Sequence, residues 1–413
     1  MRPSRPRVAI VGYGTAGQAC AILLSRDGWG VDVFEQSETT GPVGAGFLLQ
    51  PVGLQVLWDM GLLDAALAHG RRIERLHGET SRGRAVMDMR YAQLDPRLFG
   101  LGMQRGALFA LLDRAWSGVG AIRLGHRIVA ISEDGRHVRD GEGRSHGPYD
   151  LVVAADGSAS RLRAVVGRAR LDAPYPWGAL WCLVPEGRWP HRTELRQRYR
   201  AARRMIGMLP VGTRPDDEVP RISFFWSQRR DDHARWLADG MEAWRGEVAS
   251  LWPEIAEHLA GIVDPGQLAR AGYRDAVLDD WRRGRLVLVG DAAHAMSPQL
   301  GQGVNMALLD AFVLRAALRT HARIDDALAA YQRERQRHVR VYQFWSRWLT
   351  PLFQSDRDVV ARLRDLAFLP LGRLPGSRGQ MLHVLGGTRL GAFGRLRLSS
   401  AFLDGLGLRT RLG

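Results

Sequence analysis

Short apolar runs that end at a glycine or an acidic residue recur along the first 300 positions of the chain. The clearest are Val8–Val11, Val31–Phe34, Leu151–Ala155 and the stretch from Arg285 to Gly290. Helix-like segments follow several of them, including one that continues to Asp27. Buried parallel strands that alternate with helices have this pattern. The pattern predicts an α/β fold.

The first run enters a glycine-rich turn with the spacing G-x-G-x-x-G. Gly12 permits a tight turn, Gly14 lets a pyrophosphate approach the backbone, and Gly17 allows close packing of helix on strand. The helix start also presents free N–H groups to phosphate. Glu35, which ends the second run 18 positions after Gly17, is placed to accept hydrogen bonds from an adenosine ribose. These features predict a dinucleotide site.

A second glycine-rich segment, GRLVLVGDAAHAMSPQLGQGVNMALLD, lies nearly 280 residues further on. Its apolar strand ends in Gly290-Asp291, and the loop from Gly301 to Asn305 opens a helix. Such a loop directs N–H groups and the positive helix end at its ligand, as a reduced flavin anion requires. Asp291 is then a ligand and not a base. Alternatively, Gly290-Asp291 is only a structural turn and helix cap.

A third motif, DGSASRLR, begins at Asp156. With G-x-G-x-x-G before it and GDAAHAMSPQLGQGVN after it, the chain resembles the single-component FAD-dependent aromatic hydroxylases, the para-hydroxybenzoate hydroxylase-like monooxygenases, over about residues 7 to 340. The resemblance implies a Rossmann-like, glutathione-reductase-like FAD-binding domain. It implies that this domain is interleaved with a β-sheet substrate domain and followed by a C-terminal helical segment.

The resemblance also implies individual roles. Glu35 binds the ribose, Arg105 contacts the cofactor, Asp156 lies close to FAD and a visiting nicotinamide, and Asp291 bonds the ribityl and pyrophosphate region. Pro298 lies beside the flavin face where oxygen reacts, and Asn305 contributes contacts near the isoalloxazine. The predicted cofactor-binding residues are Gly12, Gly14, Thr15, Ala16, Gly17, Glu35, Gln36, Arg105, Asp156, Asp291, Gly301, Gly303, Val304 and Asn305.

The implied activity is monooxygenation in secondary metabolism. NADH or NADPH reduces FAD transiently, O2 gives a flavin C4a-hydroperoxide, and a small aromatic substrate is hydroxylated while water is excluded. Epoxidation or oxidative decarboxylation by the same chemistry is the main alternative. Two further alternatives are a reductase or halogenase-like relative and a flavin-carrying protein without turnover. We find no His/Cys/acid spacing typical of a metal site.

The chain departs from the family pattern at four positions. Gln36, Ala154, Gln299 and Leu309 stand where relatives often have arginine, glycine, an apolar aromatic residue and an acid. Gln299 matters most, because it follows Pro298 and is either a polar contact to the substrate or a solvated loop residue. We assign Pro298 and Gln299 as the candidate catalytic pair.

The chemistry-bearing segments divide the chain into interleaved domains. We expect an FAD-binding domain of residues 1–70, 97–172 and 275–340, a substrate-binding domain of 71–96 and 173–274, and a C-terminal helical cover of 341–413. Apolar spacing predicts a core-facing helix from Met306 to Ala317, and another helix runs from Asp325 to His338.

Aromatic and methionine side chains in the substrate domain suit a planar apolar substrate. The tentative substrate residues are Trp181, Met208, Phe224, Trp226 and Gln299, with Met205 on the same segments. The alternative is that they are ordinary core. No side chain is singled out as a general base, and His294 is expected to order its loop.

Composition limits the remaining possibilities. The chain has 413 residues and a net charge of +15, carried entirely by arginine spread among acids. This argues against nucleic acid as a partner. No run approaches the roughly 18 apolar residues of a membrane span, and no signal pattern opens the chain. Cys20 and Cys182 support no disulfide framework. We expect a cytoplasmic monomer or homodimer with no membrane partner.

Overall fold

A six-stranded sheet lies behind the glycine-rich motifs in the computed structural model, which describes residues 5–41, 44–374 and 376–412. Neighbouring strands are parallel except for the outermost pair. The carboxyl ends of the five parallel strands lie along one edge, as the apolar runs predicted. The strands in spatial order are β18 (Arg282–Arg283), β19 (Leu286–Leu288), β12 (Leu151–Ala154), β1 (Arg7–Val11), β2 (Gly30–Phe34) and β8 (Ala121–Arg123).

A seven-stranded sheet forms the other half of the molecule. It is antiparallel except for one parallel pair, β14 with β5, which joins residues 75–80 to a strand more than 100 residues later. The strands in spatial order are β17 (Ala269–Leu278), β13 (Ala169–Pro185), β16 (Asp217–Arg229), β15 (Arg204–Arg214), β14 (Glu194–Arg200), β5 (Arg75–Thr80) and β6 (Ala85–Arg90).

Three smaller sheets complete the strand content of the described residues. The first contacts β15 of the seven-stranded sheet. They consist of β3 (Gly46–Leu49), β7 (Gly100–Gln104) and β4 (Arg71–Ile73), of β9 (Ile128–Ile131), β10 (Val138–Asp140) and β11 (Ser145–His146), and of β20 (Arg389–Leu390) and β21 (Gly394–Arg395).

Helices cover both sheets. Against the parallel sheet, α1 packs between α4 and α8. The helices are α1 (Thr15–Arg26), α2 (Pro51–Asp59), α3 (Leu63–His69), α4 (Arg105–Trp116), α5 (Arg163–Val166), α6 (His233–Leu251), α7 (Asp291–His294), α8 (Gly303–Thr320), α9 (Ile324–Phe353), α10 (Asp358–Arg373), α11 (Ser377–Leu385) and α12 (Ser400–Leu412). No helix of the described residues is long and apolar enough to cross a membrane.

Two helices differ in detail from the sequence prediction. α9 does not end at His338 but continues to Phe353, because its buried face continues through Tyr342, Ser346 and Thr350 at helical spacing. It therefore runs through position 340, where we expected a domain boundary. In α8 the predicted core position Ala316 is exposed.

Candidate active site

The two glycine-rich motifs meet at the carboxyl edge of the parallel sheet. A Cβ on Gly12 would lie 2.4 Å from the carbonyl oxygen of Ala155, and one on Gly17 would lie 1.9 Å from that of Gly12. A Cβ on Gly290 would lie 3.0 Å from the Cβ of Ala16, at the start of α1. Gly14 instead has open space beside it. The glycines thus give close packing on one side and access for a phosphate on the other.

Glu35 is held at the end of β2 by backbone donors. Its Oε2 accepts a hydrogen bond from the N–H of Tyr13 and its Oε1 from that of Ser37, both at 2.9 Å. Each carboxylate oxygen keeps a lone pair for a further donor. This arrangement suits two ribose hydroxyls. The neighbouring Gln36 is exposed.

Asp156 and Arg163 organise the third motif. Oδ2 of Asp156 accepts from the N–H of Arg161 at 3.0 Å, whereas its buried Oδ1 has no partner. Arg163, whose side chain is 3% exposed, donates to the carbonyl oxygens of Asp291 and Ala292 at 2.8 and 2.9 Å. Arg163 therefore joins the DGSASRLR motif to the Gly290-Asp291 turn, and sequence reasoning did not assign it that role.

The loop before α8 presents backbone to open space. Gly301 has a φ of +60°, and a Cβ there would meet nothing within 4 Å. The first N–H groups of α8, at Gly303, Val304 and Asn305, have no acceptor within the helix. Asp291, on the neighbouring turn, is exposed. The loop therefore provides donors for an anionic group near the positive end of α8.

The side chain of Asn305 has a different position from the predicted one. It is fully buried, its Oδ1 accepts from the N–H of Gln50 at 2.8 Å, and its Nδ2 donates to Leu48 and Gly301 carbonyls at 3.2 and 3.1 Å. Its amide holds the end of β3 against the loop. The side-chain amide is therefore engaged within the protein, and the backbone N–H in the first turn of α8 remains for the predicted cofactor contact.

A series of buried ionic groups stabilises the Gly290-Asp291 turn. Oδ2 of Asp310 accepts from the N–H of Gly290 and lies 2.7 Å from Nε2 of His294, while its Oδ1 accepts from Arg335. Burial alone would raise the pKa of Asp310, but His294 and Arg335 outweigh burial and lower it to about 2. His294 thus orders the loop, as expected, and Asp310, the residue after Leu309, is the acid that pairs with it.

The chain of groups continues to the C-terminal region. Arg335 donates to Nδ1 of His338, and Nε2 of His338 lies 2.9 Å from the carbonyl oxygen of Gly387. These partners define a neutral imidazole that carries its proton on Nε2. Burial and the charge of Arg335 lower the pKa of His338 to about 3.

The seven-stranded sheet has two buried faces, and the tentative substrate residues are divided between them. Met208, Phe224 and Trp226 are fully buried on the outer face, in a cluster with Trp244 of α6. Trp181 lies on the inner face, in another cluster with Phe225, Met205 and Phe353. Because side chains alternate along a strand, one strand cannot place neighbours in one pocket. We correct the prediction by excluding Met208, Phe224 and Trp226 from the substrate wall.

The inner face carries an aromatic wall that sequence reasoning identified only in part. The rings of Trp181 and Phe225 are 5.1 Å apart, and Nε1 of Trp181 donates to the hydroxyl of Tyr273 at 3.1 Å. Burial raises the pKa of Tyr273 to about 12, although Trp181 and Arg105 act against it. Arg105 itself is exposed and lies 5.9 Å from the ring centre of Phe47.

Pro298 and Gln299 lie on a short 3-10 turn, Pro298–Leu300, anchored by Ser297. The N–H of Ser297 donates to Oδ1 of Asp275, two residues after Tyr273 on β17, and its hydroxyl lies 2.8 Å from those of Ser346 and Thr350. Nε2 of Gln299 is buried without a hydrogen-bond partner. A buried, unpaired N–H donor is costly unless a ligand accepts from it.

Three side chains with metal-ligand chemistry lie together at the β9–β11 sheet, where His126 precedes β9, Asp140 ends β10 and His146 ends β11. Ligand atoms of His126, Asp140 and His146 are within 4.8 Å of one another. Asp140, however, accepts from the backbone of Glu142 and from the backbone and guanidinium of Arg144. Because the Arg144 guanidinium already pairs with the Asp140 carboxylate, we interpret these residues as a group that stabilises the β10–β11 hairpin.

Taken together, the tight turns at Gly12 and Gly17, the open backbone at Gly14 and Gly301, and the unpaired Oδ1 of Asp156 fit a dinucleotide. The anion-binding end of α8 fits the flavin end of such a cofactor. The fold and site therefore define a flavin-dependent oxidoreductase of the α/β class.

Comparison with known proteins identifies the family. The model of the FAD binding domain family matches residues 5–344, so the chain belongs to this family of FAD-dependent monooxygenases, the aromatic hydroxylases. The chain is 29% identical to 2-heptyl-3-hydroxy-4(1H)-quinolone synthase of Pseudomonas aeruginosa, over 86% of this chain and 94% of the relative. It is 28% identical to kynurenine 3-monooxygenase of Salinispora arenicola, over 91% and 85%.

A solved structure shows the same fold. Klebsiella pneumoniae HpxO, complexed with FAD and uric acid, superposes with a TM-score of 0.77 at 22% identity, covering 94% of this chain and 98% of that one. The cofactor of this chain is FAD, and NAD(P)H is the reductant typical of the family. These results confirm the α/β fold, the enzyme class and the cofactor expected from the motifs.

Proposed function

We propose that this monooxygenase hydroxylates a planar aromatic substrate that carries a hydroxyl or carbonyl oxygen next to the reacting carbon. The observation that carries this proposal is the buried Nε2 of Gln299, which has no partner within the protein. An acceptor oxygen on the substrate would satisfy that donor. The name of the quinolone synthase of Pseudomonas aeruginosa places a hydroxyl group at position 3 of its product, beside the oxygen at position 4.

The aromatic wall supports a flat substrate. Trp181 and Phe225 offer ring faces inclined at 38°, and Tyr273 fixes the Trp181 indole through a hydrogen bond. Rings of this kind bury a planar apolar molecule and exclude water from it. We assign these three residues, with Gln299, to the substrate wall.

Each part of the site has a defined task in the proposed reaction. Glu35 and the backbone at Gly14 hold the adenosine and pyrophosphate, and the N–H groups at Gly303 to Asn305 stabilise negative charge on the flavin ring. Bound FAD supplies hydride acceptance from NAD(P)H and activation of O2. Pro298 and the aromatic wall keep bulk water from the reacting face. Asp156, with its unpaired Oδ1, contacts the cofactor.

The division of labour follows the proposed domains. Residues 1–70, 97–172 and 275–340 would hold FAD, residues 71–96 and 173–274 would build the substrate wall, and residues 341–413 would cover them. We propose a monomer or homodimer acting in the cytoplasm, where NAD(P)H is available. Light scattering coupled to size-exclusion chromatography measures the oligomeric state.

The experiment that tests the proposed function is oxidation of NADH and NADPH by the FAD-loaded protein with a panel of hydroxylated quinolines and quinolones under 18O2. We expect one compound to stimulate oxidation and to gain one labelled oxygen. Peroxide alone, with every compound, would contradict this substrate class. Loss of a carboxyl group, or an epoxide, would instead establish the alternative reactions of the same flavin chemistry.

A pair of variants tests the role of Gln299. Gln299→Leu should raise KM by about tenfold or more, because it removes a hydrogen bond to a buried acceptor. The rate of flavin reduction at saturating NAD(P)H should change little. Met208→Leu, on the outer face of the sheet, is the matched control and should leave KM unaltered. Equal KM values for both variants would remove Gln299 from the substrate wall.

A further inference from the structure

The second half of α9 exposes an unusual combination of side chains. Phe344, Trp345 and Trp348 are 52%, 38% and 66% exposed, and the ring of Phe344 lies 5.5 and 6.0 Å from those of Trp345 and Trp348. Arginines are exposed on the same helix at Arg337, Arg340 and Arg347. Large aromatic side chains seldom lie in water beside one another without a partner.

These side chains form one continuous stripe. Arg337, Arg340, Phe344, Arg347 and Trp348 recur at intervals of three and four residues, which places them on one side of the helix. The opposite side is fixed in the interior. It carries the buried residues of α9, which pack against the interior of the protein: Arg335, His338, Val339, Tyr342, Ser346, Thr350 and Phe353. The stripe therefore cannot turn inward.

The next helix, α10, also exposes apolar and basic side chains. In α10, Val359, Leu363, Leu366 and Leu371 are 68%, 60%, 55% and 56% exposed, and Arg362 is exposed among them. The two helices are consecutive in the chain and contact each other. We name the exposed residues of both helices, Arg337, Arg340, Phe344, Trp345, Arg347, Trp348, Val359, Arg362, Leu363, Leu366 and Leu371, the apolar-basic surface.

The charge of this surface is positive. Between positions 337 and 374 the sequence contains three acids. Each is engaged in an ion pair: Asp356 with Arg229, Asp358 with Arg203, and Asp365 with Arg364. The apolar-basic surface thus contains arginine side chains and no acidic side chain that would neutralise them.

We propose that the apolar-basic surface binds the headgroup region of an anionic lipid bilayer. Helices with arginine on their polar side and tryptophan, phenylalanine and leucine beside it lie in that interface, and this binding needs no membrane-spanning segment. Tryptophan prefers the boundary between water and acyl chains. The proposal replaces our expectation of no membrane partner.

Other occupants fit the surface less well. A second copy of the chain would bring the arginines of two like surfaces together, and like charges across an interface oppose association. The phosphates of a nucleic acid would neutralise the arginines. They would not, however, bury the aliphatic side chains of Val359, Leu363 and Leu366. A bilayer provides both anionic groups and an apolar layer.

Sedimentation of the FAD-loaded full-length protein with vesicles tests this proposal. We expect binding to vesicles of phosphatidylcholine with phosphatidylglycerol, weak binding to phosphatidylcholine alone, and weaker binding as salt is raised. Arg337→Gln/Arg340→Gln/Arg362→Gln should lower the partition coefficient on the order of 100-fold, at about fivefold for each arginine near an anionic leaflet. Phe344→Ser/Trp348→Ser should lower it by at least about tenfold.

Matched controls use exposed residues on other elements. Val219→Ser/Val263→Ser removes apolar area at positions 47% and 63% exposed, and Arg82→Gln/Arg84→Gln/Arg114→Gln removes the same charge elsewhere. Neither control should change vesicle binding. All four variants should retain FAD absorbance and the unfolding midpoint of the parent, which shows that binding was lost without loss of fold.

Three results would overturn the proposal. One is the absence of the protein from pellets of anionic vesicles at low salt. Another is equal binding of the surface variants and the controls. The third is a concentration-dependent dimer in light scattering that Phe344→Ser/Trp348→Ser abolishes, which would assign the surface to a second copy of the chain.

Discussion

Replacement of His338 by glutamine should make the protein less sensitive to mild acid. In the native state the imidazole is neutral, because Nδ1 accepts from Arg335 and Nε2 donates to Gly387. A glutamine side chain offers the same acceptor and donor without a titrating group. The substitution therefore removes the titration of the side chain at position 338 but keeps its two hydrogen bonds.

The size of the effect follows from the two pKa values of His338. The pKa is lowered to about 3 in the folded protein, against 6.5 when unfolded. Since the folded state binds its proton less readily, the stability contribution is complete above the unfolded pKa and declines as pH falls from there toward 3. From pH 7.5 to pH 5.5 the loss is roughly 1 kcal/mol.

Urea unfolding of parent and variant at both pH values measures this difference. We expect the parent to lose roughly 1 kcal/mol more than His338→Gln over this interval. Other histidines titrate in both proteins and cancel in the comparison. Since His338 supports Gly290 through Arg335 and Asp310, release of FAD should follow the same pH dependence. Equal losses of stability in the two proteins would refute a neutral buried imidazole at this position.

Three further predictions concern the cofactor and the sheet faces. Glu35→Gln should weaken FAD binding by about tenfold in fluorescence titration, because a charged acceptor is lost, and unchanged affinity would remove Glu35 from the ribose site. Asp310→Asn should lower the free energy of unfolding by about 3 kcal/mol or more, since Arg335 stays buried without its carboxylate, and urea unfolding detects this. Trp226→Ala should cost about 3–5 kcal/mol of stability with little change in product. Trp181→Phe should alter the product distribution with little change in stability. The reverse pattern would show that Trp226, and not Trp181, lies on the face that contacts the substrate.

The cofactor side of the molecule was accessible from sequence because its signals are local. A strand that ends at Gly12, and another that ends at Glu35, each encode their place at the carboxyl edge of a parallel sheet. The glycines that must approach a carbonyl closely, such as Gly17, are specified by sterics alone. The fold and the FAD cofactor could therefore be predicted without knowledge of tertiary contacts.

The substrate wall was less accessible because both faces of its sheet are buried. Trp181 pairs with Phe225 across β13 and β16, and Leu180 pairs with Trp226 in the next register position. Period-two alternation separates these pairs, but it does not show which pair faces the cofactor. That depends on where α6 packs, a long-range contact. The sequence prediction mixed Trp181 with Phe224 and Trp226 for this reason.

The buried ionic chain was missed for a related reason. Asp310, Arg335 and His338 belong to two different helices, and their pairing depends on how α8 and α9 pack. In sequence, an acid in an otherwise apolar helix reads as an exposed position. A charged residue within the core-facing stripe of α8 was the available signal for a buried ion pair.

The separation of the two glycine-rich motifs has a consequence for how the enzyme is made. The phosphate-binding turn at Gly14 leaves the ribosome early, but the loop at Gly301 to Gly303 that completes the site is synthesised nearly 290 residues later. At about 5–20 residues per second, this interval is roughly 15–60 s. A nascent chain in that interval has half a cofactor site and an unfinished parallel sheet, because β19 has not yet been added beside β12. Flavin supply during synthesis therefore acts only on a chain that has been extended past Gly303.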